Sequence, residues 1–327
     1  MLDRIRGCLL GTALGDAAGL PYEGLSPARV ARALGDAPPR PRALVSDDTE
    51  QTALVASGLA CTRDPDRFGD EMVRRLRRWF LALPPAIGWG TLRACVKLCL
   101  GGRRGVASAG NAPAMRAAVI GVVATDDAHL DALCAAATTP THTDARAVDA
   151  ARVVARAARG PVALDALAAG CRTGALAAAI TRIAPHVGEP PAAVVRALGW
   201  TRGPGAYCVE TVPAALWACA SAATPAGAIE AAIRLGGDTD TIAAIAGAIA
   251  GARTPHLLDA QAVDRLGRTR AWLERLAVAV AERTPPPRRR HPLAVVPANV
   301  AVGVLFIGYA VRHLALSASP SRSESSG

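Results

Sequence analysis

Apolar residues recur at three- and four-residue intervals along most of the chain, the spacing of a helix face turned towards a core. Leu2 to Leu14 carries this pattern and leads into Gly15-Asp16-Ala17-Ala18-Gly19-Leu20-Pro21, read as a tight glycine-rich loop. The same period marks Thr49–Cys61, Asp70–Leu83, Ala114–Val123, Asp144–Arg159, Val162–Ile183, Val209–Ala223 and Thr241–Ala252. Glycine and proline punctuate the joins, as at Pro84-Pro85 and Gly203-Pro204-Gly205. No run alternates with the period of two that half-buried strands require, and no fixed repeat length emerges. The pattern predicts an all-α fold, one compact helical domain occupying residues 1–283.

Beyond that the pattern changes. Pro285-Pro286-Pro287-Arg288-Arg289-Arg290 makes a stiff charged linker over 284–292. An apolar stretch, Leu293–Val311, follows within a predicted helix at 293–316, and a serine-rich tail at 317–327 reads as disordered. The apolar stretch approaches the ~20 residues that span a bilayer. Pro297 and Asn299 weaken that reading, and basic residues on both sides give no orientation. Two expectations stand: a helix docked on the domain, or an anchor associating an otherwise cytoplasmic protein with a membrane.

Composition sharpens the fold class. Of 327 residues, 51% are hydrophobic but only 3% are aromatic, so alanine, leucine and valine must fill the core. Small side chains suit helices whose backbones approach closely, and suit sheets poorly. The formal charge of +10 invites a nucleic-acid reading. Lys97 is the only lysine, however, and the densest basic run, Arg74-Arg75-Leu76-Arg77-Arg78, falls on a helical pattern without interleaved aromatics. It reads as a solvated helix face, and no nucleic-acid partner is expected. The eight cysteines form no CxxC and no zinc-finger spacing with histidine. Cys95 and Cys99, one turn apart, read as two buried thiols. With Asp3 and Asp16 interrupting the N-terminal apolar run, no signal peptide is read and a reducing cytoplasm is expected.

Acidic residues are scarce, so their clusters carry information. Ser46-Asp47-Asp48-Thr49-Glu50 opens one apolar helix, and Gly236-Gly237-Asp238-Thr239-Asp240-Thr241 opens another. Residues two apart on a helix point about 200° apart, so Asp238 and Asp240 converge only if one sits at the N-cap. Either cluster alone is also what simple capping gives, since Asp47 and Glu50 resemble a capping box. Capping needs one carboxylate per helix start, though, and adjacent carboxylates repel. A surplus seen twice, each time with hydroxyl residues, is explained by cations. Carboxylate and hydroxyl oxygens are hard ligands suited to Mg²⁺ or Mn²⁺. Four carboxylates could hold two ions. Glu23, after the Gly15–Tyr22 segment, is placed to hang into a cleft.

Together these segments resemble the ADP-ribosylglycohydrolase family, which includes dinitrogenase reductase-activating glycohydrolases and ADP-ribosyl-acceptor hydrolases. Gly15-Asp16 through Glu23 is similar to its opening motif, Ser46–Thr49 to its Thr/Ser-Asp-Asp-Thr motif, and Gly236–Thr241 to its closing Gly-Gly-Asp-Thr-Asp-Thr. The resemblance implies an all-α enzyme, a compact multi-helix orthogonal bundle with a binuclear metal site at helix N-termini. It implies that two divalent cations, Mg²⁺ or Mn²⁺, are held by Ser46, Asp47, Asp48, Asp238, Asp240 and Thr241. Glu23, Asp47 and Asp240 would be the catalytic carboxylates, Glu23 as a mobile gate and proton carrier. Asp16 would support the loop. Ala109-Gly110-Asn111-Ala112-Pro113-Ala114-Met115-Arg116 resembles a substrate-contact loop that usually reads Gly-Asn-Gly, with Ala112 in place of the second glycine. Gly110, Asn111, Ala112, His142 of the Thr141-His142 pair, and Tyr207 are the implied substrate-binding residues, and amides near Gly110 would hold the diphosphate. The implied activity is hydrolysis of the ribosyl bond between ADP-ribose and a modified protein side chain or small molecule. A non-catalytic ADP-ribose binder and a binuclear phosphohydrolase are the alternatives, and the latter calls for histidine ligands.

Overall fold

In a computed structural model, residues 1–287, 296, 299 and 300 are described. Among them are seventeen α-helices, no strand, and two isolated β-bridges. The arrangement follows from one helix pair at the centre. The N-terminal helix, Leu2–Gly19, is buried on every side from Gly7 to Gly19. It runs antiparallel to the helix Thr239–Arg253, itself buried over most of its length.

Glycine makes this pair possible. A Cβ placed on Gly7 would lie 2.1 Å from the Gly251 carbonyl oxygen, on Gly11 2.0 Å from that of Gly247, and on Gly15 2.0 Å from that of Ala243. At the far end, a Cβ on Gly19 would lie 2.5 Å from the Thr239 carbonyl oxygen. The backbones touch along one face, and no other residue fits there. The consequence is positional. The C-terminal end of the first helix is locked against the N-terminal end of the closing helix, bringing Asp16 beside Asp240.

Several predicted elements are redrawn. Gly15-Asp16 is not in a loop. The first helix continues through Gly19 and ends in a 3-10 turn, Leu20–Tyr22, because the closing helix packs on Gly15 and Gly19. The segment Val162–Ile183 is two helices, Leu164–Ala169 and Gly174–Ile183. Asp149 holds the turn between them: its Oδ2 accepts from Arg172 N (2.9 Å), Thr173 N (2.8 Å) and Thr173 Oγ1 (2.8 Å), fixing the N-cap residue of the second helix. Segment Ala114–Val123 likewise divides into Ala112–Met115 and Ala118–Val123. Helices Trp89–Cys99, Asp127–Thr138, Pro225–Arg234 and Arg268–Glu282 were not marked by the periodicity.

The basic run is less solvated than its pattern suggests. Arg74 and Arg75 both pair with Glu71, and Arg77 donates to the carbonyls of Leu98 and Gly102. All eight cysteines are free; Cys95 is buried, but Cys99 is exposed.

The expected membrane association through 293–311 is corrected. Among the described residues no helix is long and apolar enough to cross a membrane. Even the 18-residue first helix carries Asp3, Arg4, Arg6 and Asp16. Most of 293–311, like the tail 317–327, lies outside the described residues. Within it, Asn299 Nδ2 donates to the Ala82 carbonyl at 2.7 Å, a contact with the helical domain.

Candidate metal centre

The site begins with Asp16, fully buried near the end of the first helix. Its two oxygens accept from Ser46 N (both 3.0 Å), Thr49 N (3.1 Å) and Thr49 Oγ1 (2.5 Å). It thus holds the first turn of the helix Asp47–Cys61 from outside. Burial pushes the Asp16 carboxyl up to about 6, against the lowering effect of these hydrogen bonds.

The N-cap of that helix is Ser46, not Asp47. Ser46 Oγ accepts from Asp48 N at 3.1 Å and also lies 3.1 Å from Asp48 Oδ2. Asp47 is therefore released from capping and turns to Gln51, whose Nε2 donates to Asp47 Oδ2 at 2.7 Å. Asp48 faces the closing helix, and Thr241 Oγ1 donates to its Oδ2 at 3.2 Å. Its other oxygen, Oδ1, is buried with no hydrogen-bond partner.

On the closing helix, Asp238 occupies the N-cap position with non-helical φ −83° and ψ 66°, yet its side chain makes no cap bond. The preceding Gly236 and Gly237 have φ of 71° and 77°, which L side chains rarely adopt. A Cβ on Gly237 would also lie 2.1 Å from the Pro204 carbonyl oxygen. This turn frees Asp238, whose Oδ2 accepts from Asn111 Nδ2 at 2.7 Å. Asp240, one turn in, is buried and accepts from Thr241 N at 3.0 Å.

Oxygens of Asp16, Asp48 and Asp240 lie within 4.8 Å of one another. The two distant acidic motifs therefore meet, and Asp16 joins them, although its sequence context marked it only as support. Arginine, lysine and histidine are absent from this trio. Burial, followed by the charges of Asp16, Asp47 and Asp238, raises the Asp48 carboxyl well above its ordinary range. Asp240 is raised by burial and then by Glu23, Asp238 and Asp48. Asp47 is raised by burial, then by Asp16 and Glu50. Glu23 lies at the solvent-exposed rim, where burial of its carboxyl and the charges of Asp238 and Asp16 push it up to about 7. Its chain neighbours are tied to the closing motif: Gly24 N donates to Gly237 O, and Gly237 N to Leu25 O, both at 2.8 Å.

The implied substrate residues gather on the neighbouring wall. Gly110 and Tyr207 form an antiparallel bridge, with Asn111 N donating to Ala206 O and Cys208 N to Ala109 O, both at 3.0 Å. Asn111 Nδ2 also donates to Thr211 Oγ1 at 3.0 Å, so Asn111 braces Asp238 from this wall. Ala112 is buried at the start of the short helix Ala112–Met115. The amides near Gly110 are already engaged, that of Gly110 by Ser108 Oγ at 3.3 Å and that of Asn111 by Ala206. Tyr207 is half-buried; its hydroxyl accepts from Arg146 Nη1 at 2.8 Å, and the guanidinium lies 5.4 Å from the ring centre. His142 is buried, with Nε2 3.0 Å from where a Cβ on Gly110 would sit. Burial, then the charges of Arg116 and Arg93, lower it to about 3, so the ring is neutral.

Beneath the site lies a residue that ends the substrate-loop segment and to which no role was assigned from the sequence. Arg116 is fully buried and donates to Gln51 Oε1, to Ala137 O (3.0 Å) and to Thr141 Oγ1 (2.6 Å). Its position, five residues after Asn111, was visible; its non-local partners were not.

These features agree with the comparisons. A protein of Archaeoglobus fulgidus, itself uncharacterised, is 37% identical over 137 residues, covering 38% of this chain and 44% of that protein. This chain thus spans under half the length of that curated relative. A solved structure described as an ADP-ribosylglycohydrolase-related protein complex superposes with a TM-score of 0.60 at 28% identity, covering 86% of this chain and 98% of that one. The family model for ADP-ribosylglycohydrolase matches residues 1–290, a span that contains all three acidic motifs and the helix pair that joins them. The chain belongs to the ADP-ribosylglycohydrolase family.

Proposed function

We propose that this protein is a metal-dependent hydrolase that cleaves the bond between the ribose of ADP-ribose and a modified acceptor, a protein side chain or a small molecule. One observation carries the reading: buried negative charge without a counter-ion. Asp48 Oδ1 has no partner, its other oxygen meets only neutral hydroxyls, and Asp16 and Asp240 oxygens lie within 4.8 Å. Crowding carboxylates in this way is costly unless a cation neutralises them. The donor set is all oxygen, which fits Mg²⁺ or Mn²⁺. Ser46, Asp47, Asp48, Asp238, Asp240 and Thr241 would hold two such ions, with Asp16 fixing the backbone that presents three of them. The bound ions would supply Lewis acidity and a fixed grip on oxygen ligands.

The chain's own residues account for the rest. Breaking the ribosyl bond sends its electron pair to the acceptor atom and builds positive charge on the anomeric carbon and ring oxygen. The surrounding aspartates favour that charge. Water adds its oxygen to the anomeric carbon and yields a proton, which Glu23, exposed beside Asp238, can take and pass to the departing acceptor atom. Asp47 and Asp240 orient the attacking water. Tyr207 and the Gly110–Ala112 wall, with His142 behind it, border the space for the rest of ADP-ribose.

The test is incubation with a panel of ADP-ribosylated acceptors and Mg²⁺ or Mn²⁺. Release of free ADP-ribose, abolished by EDTA and by Asp238→Asn, is the expected result. Retention of ADP-ribose on every acceptor overturns the reading.

A further inference from the structure

Of the two aspartates in its motif, Asp47 is the one whose side chain is not held by the Ser46 or Thr241 contacts. What holds it lies below. Gln51 is fully buried one turn further along the same helix, and its Nε2 donates to Asp47 Oδ2 at 2.7 Å. An amide can usually flip, exchanging donor for acceptor. Here it cannot. Gln51 Oε1 receives a hydrogen bond from the buried Arg116 guanidinium, which has donors only, so the amide nitrogen must face Asp47. Arg116 is in turn fixed by Ala137 O and Thr141 Oγ1, and Thr52 Oγ1 ties the Asp47 helix to Met115 O at 3.3 Å. Among the described residues the Arg116 guanidinium donates to an amide, a carbonyl and a hydroxyl and to no carboxylate.

We propose that Gln51 and Arg116 are positioning residues for cation binding: the guanidinium sets the direction of the Gln51 amide, and that amide fixes the Asp47 carboxylate in the orientation that ligates. This rests on Asp47 being a ligand, as proposed above. Neither residue touches the cation or the substrate. Arg116 serves as a buried point of reference, one polar group removed from the ligand it orients.

Gln51→Glu separates this role from folding. The new carboxylate still accepts from Arg116, more strongly than the amide did, so the fold is retained. It has no N–H for Asp47. Mn²⁺ binding, measured by the electron paramagnetic resonance signal of free Mn²⁺, is the readout, with thermal unfolding beside it. Added negative charge alone would tighten Mn²⁺ binding; loss of orientation weakens it by about 10- to 100-fold, the range for groups that support a metal ligand. Gln51→Glu is expected to weaken binding within that range while the unfolding temperature holds. In an Asp47→Asn background the same change is expected to have no further effect. Unchanged or tighter binding by Gln51→Glu overturns the proposal, as does an equal loss in both backgrounds. A wild-type chain that binds no Mn²⁺ removes the metal reading and this proposal with it, whereas normal wild-type binding with an indifferent Gln51→Glu removes this proposal alone.

Discussion

Replacing Gly11 with alanine should destabilise this protein, although alanine is the better helix former. The added Cβ would lie 2.0 Å from the Gly247 carbonyl oxygen and 2.7 Å from the carbon behind it. A relaxed carbon–oxygen contact is about 3.3 Å or more, so the two helices must separate by roughly 1.3 Å at that point. The obstacle is backbone on both sides, and no side chain can rotate away. Overpacking of this kind costs about 1–3 kcal/mol or more, while alanine for glycine in a helix returns about 1 kcal/mol. The net expectation is a loss of about 1–2 kcal/mol, which lowers the unfolding temperature by roughly 2–3 °C in a domain of this size. Gly69 is the control. It sits inside the helix Pro65–Phe80, and a Cβ there would meet Ala136 Cβ at 3.8 Å, an ordinary contact. Gly69→Ala should therefore stabilise by about 1 kcal/mol, from propensity alone. Scanning calorimetry of the two variants reads the sign directly. A Gly11→Ala protein that melts at or above the wild type would refute the claim that backbone contact at this glycine seam sets the fold.

Three further outcomes follow from buried groups. Asp16→Asn places donors against the Ser46 and Thr49 amides, so it should cost about 1–3 kcal/mol, read as a lower urea midpoint; an unchanged midpoint contradicts the bracing role of Asp16. In the native protein, a thiol-exchange reagent should modify Cys61 and Cys99 quickly, since both are exposed. The buried Cys8, Cys95 and Cys208, pushed up to about 12 by burial, should react only on unfolding. His142, lowered to about 3 from an ordinary 6.5, takes up its proton when the chain unfolds but not while it is folded. Its contribution is complete above pH 6.5 and declines by about 1.4 kcal/mol per pH unit as pH falls from there towards 3. The stability of His142→Gln should accordingly fall less between pH 6.5 and 4.5 than that of the wild type, and parallel decline in both proteins is the contrary result.

The helical class and the meeting of two acidic motifs were legible because both depend on local pattern. Asp238 and Asp240 lie two residues apart, which forces one of them to an N-cap if they act together, and Asp238 is found there with its side chain making no cap bond. The first motif was misread in one respect. Gly15 and Gly19 signalled a loop, as glycine commonly does, whereas here they continue a helix because the backbone of the closing helix lies against them. That partner is over 220 residues away in the chain, beyond what periodicity reports. The same limit hid Arg116 and Gln51, polar residues on apolar segments whose roles exist only through each other. Asp149 shows the third kind of miss: from another element it holds Thr173, the N-cap residue before Gly174, a contact that local spacing does not report.

The account stands on Asp48 and Asp240 sharing a cation with their neighbours. A crystal grown with Mn²⁺ and measured for anomalous scattering at the manganese edge tests this directly. Two anomalous peaks are expected among Ser46, Asp47, Asp48, Asp238, Asp240 and Thr241, each ligated by carboxylate oxygen, with Asp48 Oδ1 now coordinated. A map without peaks there, in a protein whose Asp48 and Asp240 keep the same positions, would contradict it.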